Sequence, residues 1–223
     1  YRVHSCTSGD LISTCIINET YNMSNGEVLN ANNIIIGSVG KVQNWTGNVT
    51  LNLTGNLTIQ SGGEMVGKRI YINATNVSVE TGGVINLSGK GYAGGTSGNG
   101  SGPGGGGGNT YEGAGGGYGG AGGNSYSTAG GATYGSSTQP IDLGSGGGGA
   151  IKIVATGTVT INGSILAKGE NGLTDGSRPG GGGSGGSIWI QAGTLTGSGS
   201  INASGGNAPS CDYPYAGGGG GGR

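Results

Sequence analysis

Residues 44–60 read NWTGNVTLNLTGNLTIQ. Every even position from Asn44 to Thr58 is Asn or Thr, while the odd positions are Trp45, Gly47, Val49, Leu51, Leu53, Gly55, Leu57 and Ile59. Side chains on an extended strand point to opposite faces in turn, so this period of two sends the odd set, Trp45 included, into a core. The even set lines the other face. It spells N-x-T at Asn44, Asn48, Asn52 and Asn56, and N-x-[ST] is the acceptor signal for N-linked glycan in a secreted protein.

The whole chain carries twelve such sequons, adding Asn18, Asn22, Asn73, Asn76, Asn86, Asn99, Asn162 and Asn202 to those four. Given its Ser and Thr content that is about threefold over chance. The plainer explanation is that Asn and Thr are the polar residues this strand type uses outside; the excess favours glycosylation. Cys6 and Cys15 lie nine apart and read as a local disulfide in an oxidising compartment, leaving Cys211 as a free thiol or an intermolecular partner. With one histidine, His4, and three cysteines at no zinc spacing, neither a metal site nor a cofactor is expected.

Three later segments superimpose: IYINATNVSVETGGVINLSGKG from Ile70, IKIVATGTVTINGSILAKG from Ile151 and IWIQAGTLTGSGSINASGG from Ile188. Each opens with two aliphatic residues and an alanine at alternate positions (Ile70, Ile72, Ala74; Ile151, Ile153, Ala155; Ile188, Ile190, Ala192). A second short strand follows at Val77, Val159 or Leu195, and a third at Ile85, Ile165 or Ile201. A unit of about 20 residues with three half-apolar strands cannot bury its apolar face alone; stacked copies can. The expected fold is all-β, a parallel β-helix, right-handed by the general preference of parallel crossovers. Four coils are clear and Val28 to Val42, with Ile34 and Ile36, supplies a fifth, making a rod of roughly 24 Å. A sandwich of antiparallel hairpins would not explain why the glycine tracts all fall at one phase of the repeat.

Those tracts, 90–150, 170–187 and 205–223, hold most of the 61 glycines. Composition alone suggests flexible linkers. Glycine chains can also pack side by side in polyproline-II-like form, with tyrosines such as Tyr92, Tyr111, Tyr118, Tyr126 and Tyr134 as anchors. The expected organisation is an N-terminal cap or docking segment, 1–27, followed by the β-helix, 28–223, with the glycine tracts as an ordered stack of loops on one side of it.

A net charge of -1 and 9% charged residues leave no basic footprint for nucleic acid and no polybasic patch for a membrane surface. The apolar runs are too short for membrane insertion. Tyr1-Arg2-Val3-His4 opens no signal peptide, so a secreted protein would be represented here in mature form. GGEMVGK at Gly62 to Lys68 matches a phosphate-loop skeleton without its Ser or Thr or its helix. Calcium-binding glycine repeats need recurrent Asp, and the chain has only Asp10, Asp142, Asp175 and Asp212. A polysaccharide-cleaving β-helix would need paired carboxylates, but Glu80 aligns with Gln60 and Asn162, and Glu64 with Val84, so no enzyme is expected. An ice-binding Thr-x-Thr face, begun by Thr158 and Thr160 or Thr194 and Thr196, is interrupted at Asn56, Asn76 and Ser78. Trp189, between Ile188 and Ile190, points outward or into the glycine layer and could serve as a sugar platform.

The stretches INLSGKGYAGG, SGPGGGGG, GGGGAIKIVATGTVTINGSILAKG and GGGGSGGSIWIQAGTLTGSGSINASGG resemble the glycine-rich β-helical repeats of large extracellular surface and adhesin-like proteins. The resemblance covers residues 49–223 and implies an extracellular structural or adhesive role. The expected protein is therefore a heavily N-glycosylated subunit of a secreted fibril or surface coat. The alternative is an adhesin-type module that binds a carbohydrate or a surface. Arg223 falls where Arg69, Ala150 and Ser187 precede the first strand of a coil. This predicts an uncovered last coil that is either one slice of a longer repetitive chain or paired head to tail with another copy, whose Tyr1-Arg2-Val3 could begin a strand and whose joint Cys211 could lock.

Overall fold

The computed structural model describes residues 6–95, 99–174, 179–209 and 216–223. All regular structure among them is β-strand, gathered into two sheets of seven and nine strands. Two compact units emerge. The first contains Tyr1–Asn86, Lys152–Leu166 and Ile190–Ile201; the second contains Leu87–Ile151, Ala167–Trp189 and Asn202–Arg223.

In the first unit the ladders are parallel and in register with the apolar repeat. Along the seven-stranded sheet, Cys15, Ile34, Leu57, Val77, Val159 and Leu195 form one continuous column, and Ile17, Ile36, Ile59, Val79 and Ile161 a second. In the nine-stranded sheet Val42, Met65, Ile85 and Ile165 stack in the same way, as do Leu29, Leu51 and Ile72. Cross-repeat hydrogen bonds join residues 20 to 23 apart where no glycine tract intervenes. These columns are almost wholly buried, apart from Leu195. Each interior Ile or Leu contributes about 1.5–3 kcal/mol on leaving water, which is why the repeat keeps only aliphatic residues there.

The polar step between strands is a tight turn that recurs one repeat later. Gly63 N–H donates to the Gln60 carbonyl at 2.9 Å and Gly83 N–H to that of Glu80 at 2.8 Å. Gly62 and Gly82, third in each turn, have φ of 86° and 87°, the left-handed value that a type II turn requires and glycine alone adopts without strain.

Three expectations change. The stacking does not begin at Val28: Thr14–Ile17 lies parallel to Asn33–Ile36, and Thr20–Asn22 to Lys41–Leu53. The segment read as a cap therefore extends the ladders, and among its described residues only Ser8–Gly9 folds back antiparallel, pairing with Thr14–Ile17. Trp45 is not a core residue; it is 52% exposed, whereas Asn44 is 8% exposed. Strand Lys41–Leu53 bends here, with a register shift between Asn44 and Asn48. Buried positions are even before the bend (Val42, Asn44) and odd after it (Gly47, Val49). A period of two holds only along a straight strand, so reading it through a bulge inverts the faces.

The second unit is held by backbone hydrogen bonds between glycine segments. Gly182, Gly183 and Ser184 donate to Gly217, Glu170 and Ser145; Gly185, Gly186 and Ser187 then donate to Gly220, Ala167 and Gly149. Every third N–H thus returns to the same neighbour, as expected of extended chains with three residues per turn. Gly115, Gly116 and Gly117 likewise donate to three different segments, at Gly123, Gly182 and Gly104. The flexible-linker reading does not describe these segments. Tyr118, fully buried, pins the lattice: its hydroxyl meets Ser187 Oγ at 2.5 Å, Ser187 Oγ donates to the Asp142 carbonyl at 2.6 Å, and its ring lies 4.9 Å from that of Tyr134. Burial raises both phenols above the usual tyrosine range, Tyr134 to about 12.

Candidate glycan acceptor face and the exposed apolar end

Cys6 and Cys15 form a disulfide, closing the hairpin of Ser8–Gly9 on Thr14–Ile17 and fitting an oxidising environment. Cys211 and Tyr1-Arg2-Val3 lie outside the described residues.

The twelve sequon asparagines sort by what their amides do. Asn18, Asn22, Asn52, Asn56, Asn73, Asn76, Asn99 and Asn162 are exposed; Asn48, Asn86 and Asn202 are half-buried; Asn44 is buried. Asn44 clips the bend: its Oδ1 accepts from Gly47 N–H at 2.9 Å and its Nδ2 donates to the Asn48 carbonyl at 3.3 Å. Asn52 pairs in register with Asn73 and Asn56 with Asn76, and in each pair the later Nδ2 donates to the earlier Oδ1 at 2.8 Å. Asn56 Nδ2 reaches Asn33 Oδ1 at 3.3 Å, and Asn76 Oδ1 accepts from Thr158 N–H at 2.7 Å. Asn162 Oδ1 caps Ser198 N–H, Asn202 Oδ1 caps Ser204 N–H, Asn99 Oδ1 accepts from Gly108 N–H and Asn22 Oδ1 from Gln43 Nε2.

Asparagine ladders of this kind satisfy polar groups across parallel strands, where directly opposed side chains stand about 5 Å apart. The ladder members Asn30 and Asn33 lie in no sequon. Asn30 is paired in register with Asn52, and the signal for both was the position of NANN one repeat ahead of Asn52 and Asn56. Beside the bend, Lys41 Nζ pairs with the Glu64 carboxylate at 2.7 Å and stands 5.5 Å from the Trp45 ring centroid.

A second feature lies at the end of the repeats. Thr194–Thr196 terminates the seven-stranded sheet and Ser200–Asn202 the nine-stranded one. Among the described residues the apolar columns end there exposed: Leu195 is 54% and Ile201 47% exposed, whereas Val159, the register partner of Leu195, is fully buried. At the opposite end, among the described residues, Thr20–Asn22 and Val28–Ala31 each pair only with Lys41–Leu53, and Ser8–Gly9 edges the seven-stranded sheet antiparallel to Thr14–Ile17. No family model, curated protein or solved structure matches the chain.

Proposed function

We propose that the chain is a structural subunit of a secreted, N-glycosylated extracellular fibril or surface coat, built on a right-handed parallel β-helix and assembling head to tail. The observation that supports this reading is the uncovered apolar end. Half-exposed Leu195 and Ile201 forgo on the order of 1 kcal/mol each relative to full burial, and solenoids ordinarily cover such ends. In the nine-stranded sheet parallel strand edges stand at both ends of the repeats. Adding Thr20–Asn22 of one copy to Ser200–Asn202 of another would continue that ladder with the same polarity. Such a contact is heterologous and does not close, so it propagates as a fibre. Outward asparagines bearing glycan would keep the lateral surfaces from associating.

The test is electron microscopy and sedimentation of the natively isolated protein and of a Leu195→Asp/Ile201→Asp variant. Fibres from the first and a folded monomer from the second are expected. A monodisperse wild-type monomer at high concentration, with no fibres, would overturn the reading; retention of that monomer on a carbohydrate array would favour the adhesin instead.

A further inference from the structure

The geometry points to Trp45 as a built-in stacking platform for the glycan carried by Asn48, which rests on the glycosylation reading above and deepens it. The bend decides the arrangement. Because the register shifts between Asn44 and Asn48, outward positions are odd up to Trp45 and even from Asn48 on, so Trp45, Asn48 and Thr50 all point away from the core. The amide of Asn44 holds the bend from inside. An indole therefore precedes an outward acceptor asparagine by three residues across a clamped turn, with the sequon hydroxyl of Thr50 on the same face.

The neighbouring repeat completes the surface. Asn48 pairs in register with Arg69 and Thr50 with Tyr71, and both partners are half-exposed. Trp45 is oriented by the Lys41 ammonium, itself fixed by Glu64. The ring presents a negative π face, which suits the C–H hydrogens on one side of a pyranose. Arg69 and Tyr71 supply donors for its hydroxyls. Asn48 Nδ2, unlike that of Asn44, makes no hydrogen bond among the described residues, so it remains able to take the glycosidic link. Scattered exposed apolar residues are normal. What distinguishes Trp45 is the coincidence of its exposure with the spacing, the shared outward face and the uncommitted acceptor amide.

The experiment uses the full chain produced in a host that N-glycosylates it, as wild type, Trp45→Ala, Asn48→Gln and the double variant. Glycopeptide mass gives occupancy at Asn48, and proton NMR of the intact protein reads the sugar linked there. An upfield ring-current shift of that sugar's protons, lost in Trp45→Ala, is expected. So is a double-mutant coupling of about fivefold in the folding constant, the scale of a ring-stacking contact. An Asn48 that is glycosylated but additive with Trp45, its sugar unshifted, sinks the platform and leaves the glycosylation reading standing. A bare Asn48 beside occupied Asn18 or Asn52 also sinks the platform alone, while bare asparagines throughout sink both.

Discussion

Replacing Gly183 with alanine tests whether the glycine segments are a packed lattice. The added Cβ would lie 1.5 Å from the Gly146 carbonyl oxygen and 2.3 Å from its carbonyl carbon. Carbon and oxygen in contact stand about 3.3 Å apart or more, so the segments must part by about 2 Å. Gly183 N–H donates to Glu170 at 2.8 Å, Gly206 N–H donates to Gly183 at 2.7 Å, and Ser184 N–H donates to Ser145 at 3.0 Å. None of these bonds survives such a displacement. Three bonds lost at about 1–1.5 kcal/mol each, less about 0.4–1 kcal/mol for the stiffer unfolded chain, give a net loss of about 3 kcal/mol.

Gly221 is the control, since an added Cβ there meets nothing within 4 Å; Gly221→Ala should be neutral or slightly stabilising. Near-ultraviolet circular dichroism of Tyr118 and Tyr134 during guanidinium unfolding reads the second unit directly. Equal midpoints for the two variants would refute the reasoning, because a flexible linker tolerates alanine at either place.

Raising the pH should weaken the same unit. Tyr134 has a folded pKa of about 12 against the usual 10.0, so its contribution is complete below pH 10 and is lost as the unfolded state ionises first. The loss between pH 10 and 12 should approach 2 kcal/mol, and a Tyr134→Phe variant should show a shallower fall in denaturant midpoint. Glycopeptide mapping of native material should find Asn44 bare, since its amide is spent on the bend, and Asn52 occupied; a glycan on Asn44 would contradict the buried placement. Cys6→Ser should cost about 2–3 kcal/mol, the loop-closure value for a bridge between residues nine apart, measured by thermal unfolding with and without reductant.

Much of the first unit was legible because its periodicity is written in side-chain chemistry. Val77, Val159 and Leu195 align by eye and stand in register in the structure. Where the chain bends, the same chemistry misleads: Trp45 and Asn44 exchange faces because a bulge changes parity without changing composition. The extra layer at Thr14–Ile17 was hidden because residues 1–27 as a whole hold few apolar residues. For the glycine lattice the sequence announces the material and not the pairing. Gly116 bonds to Gly182 and Gly185 to Gly220, yet glycine has no side chain to mark which segment meets which. The asparagine ladders were visible as sequons, but only the cross-strand geometry separates amides used for structure from amides left open.

The segment 216–223 is bonded to four others, at Gly113 and Gly116, at Gly120 and Gly123, at Gly182 and Gly185, and at Ala203 and Gly206. During synthesis every one of those partners emerges before it, and none can complete its hydrogen bonding until it arrives. Contacts of such large sequence separation carry their loop-closure entropy before they return any stability. The lattice should therefore assemble late and all at once, with the glycine segments left as solvated chain while the repeats of the first unit are already stacking. A growing chain that stalls before residue 216 would hold a formed first unit and an unformed second one.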